Sequence, residues 1–94
     1  MGDILTARVT VPADVLFRDL DGESVILNLE TESYFGLDEV GTRMWLLLTA
    51  SDSVRAALDA LLEEYDADAG TMRKDLEELI GKLADQGLLE VKGG

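Results

Sequence analysis

The sequence predicts an α+β domain in which a three-stranded antiparallel β-meander precedes three α-helices. Its 94 residues, 47% of them hydrophobic, suffice for one domain with a modest core and are too few for two. Residues 15–37 form short apolar runs separated by turns, whereas residues 39–86 repeat apolar side chains at helical spacing. Strands that are followed by helices, without alternation, indicate an α+β arrangement and not an α/β one.

The predicted sheet consists of three strands joined by short turns. Val15–Leu20 is the first, and Asp21-Gly22 is a strong two-residue turn signal. Residues 24–29 form the second strand, residues 30–32 the next turn, and residues 33–37 the third strand. Because the turns are short, neighbouring strands are antiparallel, and the first and third strands are the edges.

The two ends of the chain are predicted to lie outside this sheet. Residues 1–14 are expected to form an N-terminal arm, with a short strand at residues 7–11, and residues 15–91 to form the domain. Gly87 stands where a helix would stop in a left-handed conformation, and residues 88–91 would then run back as a short strand.

Three helices are predicted, over residues 39–50, over residues 54–65 and up to Gln86. Gly41 lies inside the first and costs about 1 kcal/mol relative to alanine, which indicates close packing at that position. The second and third helices follow each other closely, and beside a β-meander they predict a winged helix-turn-helix. The candidate N-caps are Asp38 for the first helix, Ser51, Asp52 and Ser53 for the second, and Asp68 or Thr71 for the third.

The charge of the chain argues against a nucleic-acid partner. Twenty acids against eight bases give a formal charge of −12. Only Arg73 and Lys74 are adjacent bases, so no basic patch is available to neutralise phosphates or an acidic membrane. A DNA-binding winged-helix regulator remains the alternative of another class, although the third helix carries Asp75, Glu77, Glu78 and Asp85 against Arg73, Lys74 and Lys82.

The missing residue types argue against an enzyme. The chain has no cysteine and no histidine, so it offers no thiolate, no imidazole base and none of the usual zinc ligands. Neither a metal nor a cofactor is expected. The start of the chain lacks the basic and apolar regions of a signal peptide, and no apolar run approaches the roughly 20 residues of a membrane span. We therefore expect a cytoplasmic protein.

Two local patterns resemble functional motifs and have simpler explanations. Asp52-Ser53-Val54 is similar to the phosphopantetheine site of carrier proteins, but those are four-helix bundles, and serine is a preferred N-cap. Residues 66–70 resemble part of a calcium loop, but Thr71 replaces the required glycine and Gly70 offers no side-chain oxygen. Modification on Ser53 stays as a carrier-protein alternative.

The third strand is the most informative segment. Exposed edges are usually protected by charge or proline, and residues 33–37 contain neither, but carry two aromatics and a glycine. One interpretation is that the protein's own arm or helix covers this edge. The other is that an extended peptide adds there as a strand, with main-chain hydrogen bonds for affinity and pockets for specificity. The favoured ligand is a peptide.

An ordered set of short motifs resembles the PqqD-like proteins. The set is Leu20-Asp21-Gly22-Glu23, Val25-Ile26-Leu27, Leu29-Glu30, the run from Tyr34 to Leu48 (YFGLDEVGTRMWLLL), residues 61–66, Asp75-Leu76 and residues 83–89 with Gly87-Leu88-Leu89. It spans roughly residues 15–91. The resemblance implies a RiPP precursor recognition element: a winged helix-turn-helix peptide chaperone that holds the leader of a ribosomally synthesised precursor and presents it to a separate modifying enzyme.

The resemblance also implies where the leader binds. It would add antiparallel to the third strand, beside the third helix, so that a proline at Phe35 should remove an edge donor. Periodicity does not decide which helix residues face the groove and which face the core. The residues implied are Ser33, Tyr34, Phe35, Gly36 and Leu37 on the strand, and Arg73, Lys74, Leu76, Glu77 and Ile80 on the helix.

Two subtypes share this scaffold. The run from Tyr34 to Gly41 looks most like the stand-alone leader-binding proteins of lasso peptide clusters, which present the precursor to a leader peptidase. The second subtype is the chaperone of pyrroloquinoline quinone biosynthesis, which presents its peptide to a radical SAM enzyme. The oligomeric state stays open, because exchange of strands or arms between two copies would also cover the edge.

Overall fold

The structure, a computed structural model, describes residues 4–93. It confirms the α+β class, with three antiparallel strands followed by three helices. A short 3-10 helix at Ile4–Thr6 precedes the regular elements. These are β1 (Arg8–Thr10), β2 (Val15–Leu20), β3 (Glu23–Asn28), β4 (Tyr34–Leu37), α1 (Glu39–Ala50), α2 (Val54–Glu64), α3 (Ala69–Asp85) and β5 (Glu90–Lys92).

The main sheet has the order β2-β3-β4, so β2 and β4 are its edges, as predicted. Asp21 and Gly22 have φ values of 62° and 96°, and two positive φ angles in succession are what a type I′ hairpin turn requires. The β3–β4 connection is longer, and Glu32 adopts a φ of 61° within it. Ser33 lies just before β4, where its carbonyl oxygen accepts a hydrogen bond from Asn28 N at 2.8 Å.

One face of this sheet packs on α1. Ile26 and Val15 are buried on that face, and the Phe17 ring stacks on Trp45 of α1 with centroids 6.0 Å apart and planes 10° apart. Ser24 and Thr42 share a buried hydrogen bond of 2.8 Å between their hydroxyl groups. Apolar contact and one buried polar pair therefore fix the position of the sheet on the helices.

The helices begin where side chains can cap them. Asp38 accepts from Gly41 N at 2.7 Å, and Ser53 accepts from Ala56 N at 3.1 Å. At α3 the cap is Asp68, which accepts from Thr71 N. Predicted caps at all three helices are thereby confirmed. After α3, Gly87 has a φ of 73°, as its predicted role as a helix stop requires. The buried stripe of α3 consists of Met72, Leu76, Ile80 and Leu83.

The two ends of the described chain meet. β1 pairs antiparallel with β5, with Val9 opposite Val91, and Ala7 O accepts a hydrogen bond from Val54 N at 2.8 Å. Leu5, Ala7 and Val9 are buried. Both short strands were predicted, but their pairing was not, because a three-residue strand carries too little pattern to identify a distant partner. The first three residues of the predicted arm lie outside the described residues, and a boundary at residue 15 stays a prediction.

Neither a membrane-spanning helix nor a metal-binding cluster is found among the described residues. No helix within residues 4–93 is long and apolar enough to cross a membrane. Across the same residues, no group of three or more Asp or Glu side chains is placed to hold a metal ion.

Candidate functional site

The backbone of β4 is unpaired along one side within the described chain. The bond from Asn28 N to Ser33 O makes these two residues a hydrogen-bonded pair of the β3–β4 ladder. Such pairs alternate with non-bonded ones along an antiparallel ladder. The register then directs the backbone of Phe35 towards β3, opposite Ile26. The N–H and C=O groups of Tyr34 and Gly36 face the open edge.

This alternation corrects the choice of Phe35 as the position where proline would remove an edge donor. Phe35 lies opposite Ile26 in a hydrogen-bonded pair, so its N–H belongs to the ladder with β3. A proline at Phe35 would break the protein's own sheet. The outward donor in the middle of the strand belongs to Gly36.

A groove of about 450 Å³ runs beside this edge, between β4 and α3. One wall is the end of β4 and the start of α1, and the other is a face of α3. Met44 and Leu37 are the buried members, with exposed fractions of 4% and 5%. The groove is lined by Phe35, Gly36, Leu37, Asp38, Val40, Gly41, Met44, Asp75, Glu78, Leu79 and Lys82.

The lining combines an apolar interior with a net negative rim. Five of the lining side chains are apolar, three are acids and one is a base. Asp38 already caps α1, whereas Asp75, Glu78 and Lys82 are exposed on α3. Such a groove suits apolar side chains of an extended ligand and favours neighbouring positive charge.

Gly41 allows α1 to start close to the end of β4. A Cβ atom at this position would lie 3.1 Å from Asp38 Oδ1 and 3.2 Å from Leu37 Cδ2, which is tighter than ordinary contact. The close packing predicted for Gly41 is therefore confirmed. Gly36 differs, because a Cβ atom there would meet nothing within 4 Å. The fold of the described chain does not require a glycine at position 36.

The predicted strand residues are placed in three ways. Phe35, Gly36 and Leu37 line the groove. Tyr34 turns its side chain to the other face of the sheet, where it is 73% exposed, while its backbone faces the open edge. Ser33 closes the β3–β4 hairpin and lies outside the groove.

None of the five helix residues implied by the resemblance lines the groove. Leu76 and Ile80 are core residues, with exposed fractions of 1% and 2%. Arg73 and Glu77 form an ion pair at 2.7 Å, and Lys74 is exposed away from the groove. That these five residues contact the leader stays a prediction. The groove face of α3 consists of Asp75, Glu78, Leu79 and Lys82.

The difference between the predicted helix residues and the residues that line the groove has a geometric origin. Successive residues of an α-helix are rotated by roughly 100°, and the groove face of α3 is displaced from its buried stripe by about that angle. Periodicity identifies the stripe of Leu76 and Ile80 but does not show on which side of it the sheet edge lies. Leu79 marks the side that faces the groove, because it is apolar and only half-buried.

Asn28 is a structural residue of the site that sequence reasoning missed. Its Nδ2 donates to Gly87 O at 3.0 Å, and its Oδ1 accepts from Glu30 N at 2.9 Å and Thr31 N at 3.2 Å. The side chain therefore ties the β3–β4 turn to the end of α3, which are the supports of the two groove walls. Ser24, Ile26 and Asn28 alternate along β3 on its buried face. The signal in the sequence was an amide side chain at such a position, because a buried amide needs hydrogen-bond partners.

One ion pair joins α1 to α2 outside the groove. Arg43 Nε donates to both carboxylate oxygens of Glu64 at 2.9 Å. The hydrogen bond with Glu64, followed by its charge, raises the pKa of Arg43 above its ordinary value. A guanidinium is already protonated near neutral pH at its ordinary pKa, so this ion pair introduces no pH dependence there through Arg43.

Fold and site together define a winged helix-turn-helix protein with an open edge strand and an adjoining groove. The chain belongs to the PqqD family, because the model of "Coenzyme PQQ synthesis protein D (PqqD)" matches residues 23–89. The resemblance inferred from the sequence motifs is thereby confirmed.

Two solved structures share this fold. TbiB1, solved in complex with the TbiA(beta) leader peptide, is 39% identical over 85% of this chain and 93% of its own, with a TM-score of 0.79. A lasso peptide synthetase B1 complexed with the leader peptide is 17% identical over 88% of this chain and 98% of its own, also with a TM-score of 0.79, which shows a common fold. No curated protein gave a significant match.

Proposed function

We propose that the protein is a non-catalytic peptide chaperone that binds the leader of a ribosomally synthesised precursor peptide and presents it to a separate enzyme. The observation that carries the proposal is the open backbone of Tyr34 and Gly36 beside the apolar groove. The relative that is 39% identical was solved with a leader peptide, which supports the same class of ligand here. The favoured enzyme is the leader peptidase of lasso peptide biosynthesis, and the favoured compartment is the cytoplasm, where precursors are translated.

The leader would bind as a fourth strand. Running antiparallel to β4, it would exchange hydrogen bonds with the N–H and C=O groups of Tyr34 and Gly36, each contributing about 0.5–1.5 kcal/mol. Its alternate side chains would point towards the groove, because a strand has a two-residue period. Each apolar side chain buried against Met44 and Leu79 would add about 1.5–3 kcal/mol.

A second candidate function has the same class of ligand, the leader of a precursor peptide, but a different partner enzyme. The matching family model is that of a coenzyme PQQ synthesis protein, which favours delivery of a precursor to a radical SAM enzyme as the alternative. A DNA duplex is disfavoured as the ligand, because the groove face of α3 exposes Asp75 and Glu78 against one base, Lys82.

The proposal is tested by fluorescence anisotropy with a labelled leader peptide, taken from the precursor encoded next to the gene or from TbiA(beta). A labelled DNA duplex at the same salt concentration is the control. Saturable binding of the peptide without binding of the duplex is expected. If the folded protein binds neither leader, or binds the duplex instead, the proposal is wrong.

Gly36 offers a matched pair of variants for mapping the site. Gly36→Pro removes the outward N–H and places a ring against the incoming strand, while Gly36→Ala keeps the N–H and adds a methyl group into open space. We expect the proline variant to bind the leader at least about tenfold more weakly, which corresponds to about 1.4 kcal/mol. The alanine variant should bind like the wild type. Equal binding by a folded Gly36→Pro protein would exclude strand addition at β4.

A further inference from the structure

The main sheet has a second face, opposite the core, that is unusually apolar. Antiparallel sheets with one solvated face normally present polar side chains there. Here Leu16 of β2, Leu27 of β3 and Tyr34 of β4 lie directly opposite one another and form a row across all three strands. Leu16 is 42% exposed and Tyr34 is 73% exposed.

The apolar surface extends beyond this row. Val25, between Arg18 and Gly36 in the register, is half-buried on the same face. Leu29 continues the alternation of β3, and its N–H donates to Asp14 O at 2.9 Å. The outer face is defined here as Leu16, Leu20, Val25, Leu27, Leu29 and Tyr34.

No described part of the chain covers the outer face. Leu20 and Leu29 are 57% and 53% exposed, in addition to the exposed members of the central row. Single exposed apolar residues need no explanation, but neighbouring ones in a contiguous patch indicate an interaction surface. Gly36 fits this interpretation, because it leaves open space beside Val25 that the fold does not use.

The charge around the outer face selects the kind of partner. Exposed acids lie at both ends of the sheet, and Arg18 is the base that lies on the face itself. A second copy of the chain would bring an identical acidic border and a formal charge of −12 against this one, which disfavours self-association. A protein with an apolar patch bordered by lysine and arginine would be complementary. The bordering acids are Asp14, Asp21, Glu23, Glu30 and Glu32.

We propose that the outer face is the docking surface for the modifying enzyme, and this rests on the proposed function. A leader added beside β4 would extend the sheet, so that its alternate side chains continue the row of Leu16, Leu27 and Tyr34. An enzyme seated on the outer face would contact the protein and the outward side chains of the leader together. The groove would thus select the leader, and the outer face would select the enzyme.

The test uses the full chain and the purified modifying enzyme encoded next to its gene. Enzyme binding is measured by biolayer interferometry with the leader bound, and leader binding is measured separately by anisotropy. Leu16→Glu is the main variant, because β2 is the edge away from the leader. Val91→Glu is the matched control, since Val91 is 40% exposed and lies on β5 in the other sheet.

Leu16→Glu is expected to weaken enzyme binding about tenfold or more and to leave the leader affinity unchanged. Val91→Glu should change neither. Tyr34→Ser keeps the backbone of the edge strand but removes the aromatic ring from the outer face, so it should also weaken binding of the enzyme. The emission of Trp45 checks that each variant is folded.

Two results would overturn the inference while the proposed function stands. One is that the wild type binds the leader, but Leu16→Glu leaves enzyme binding unchanged. The same holds if the wild type binds the leader but shows no detectable binding of the enzyme. The other is a wild-type dimer in sedimentation that Leu16→Glu dissociates, which would assign the outer face to a second copy. Failure of the wild type to bind any leader would instead contradict the proposed function itself.

Discussion

At the scale of single residues, the polar side chains of the sheet act as connectors. Asn28 joins the β3–β4 turn to the end of α3 through three hydrogen bonds, and Ser24 joins β3 to Thr42 of α1. Both lie on the core face of β3, where every other position is buried. Buried polar groups are favourable only when paired, so these contacts specify one orientation of the sheet relative to the helices.

The Ser24–Thr42 pair gives a stability prediction with its own control. Ser24→Ala leaves the hydroxyl of Thr42 buried without this partner, which should lower the free energy of unfolding by about 1–3 kcal/mol. Adding Thr42→Val removes the orphaned hydroxyl, so the double variant should be more stable than the sum of the single effects predicts. Urea denaturation followed by the fluorescence of Trp45 measures all three variants. If the effects of the two single substitutions on the free energy of unfolding add up to that of the double variant, the Ser24–Thr42 hydrogen bond makes no specific contribution to stability.

At the scale of elements, β4 and α3 border the groove, and their contributions to it were predictable to different degrees. The open edge of β4 follows from the order of strands, and the order follows from short turns. The groove face of α3 could not be predicted from the sequence, because a helical period fixes one buried stripe and leaves its flanks equivalent until the neighbouring sheet is placed. Leu79 and Asp75 could therefore be placed at the groove only from the structure, whereas the position of Phe35 and Leu37 on an edge strand follows from the strand order.

Leu79 tests whether the α3 face belongs to the binding site. Leu79→Ala removes apolar surface from the groove, and the affinity for the leader should fall about fivefold, which corresponds to about 1 kcal/mol. Leu62→Ala on α2 is the matched control, since Leu62 is also a half-buried leucine packed against the core but lies outside the groove. Both variants should lose some stability, but only Leu79→Ala should raise the dissociation constant in anisotropy titrations. If both weaken leader binding equally, the effect is global and the groove assignment fails.

At the scale of the whole molecule, the N-terminal segment completes the core from outside the sheet. The expected arm at residues 1–14 contributes Leu5, Ala7 and Val9 to the buried set, and β1 is held against β5. Among the described residues, the groove beside β4 is lined, by contrast, by residues between Phe35 and Lys82. The N-terminal segment therefore contributes to the core without lining the groove, and a truncation can test whether it is needed for leader binding.

Deleting residues 1–10 should destabilise the protein without removing the leader site. Loss of Leu5 and Val9 from the core exposes apolar surface worth about 1.5–3 kcal/mol for each side chain, and Val54 N loses its bond to Ala7 O. Urea denaturation should show a lower free energy of unfolding by about 3 kcal/mol or more. In anisotropy titrations at a temperature where the truncated protein is folded, the leader affinity should match that of the full chain. An unchanged denaturation midpoint would mean that the segment is a dispensable arm and that the domain begins near residue 15, whereas loss of leader binding by a folded truncation would place part of the recognition surface on β1.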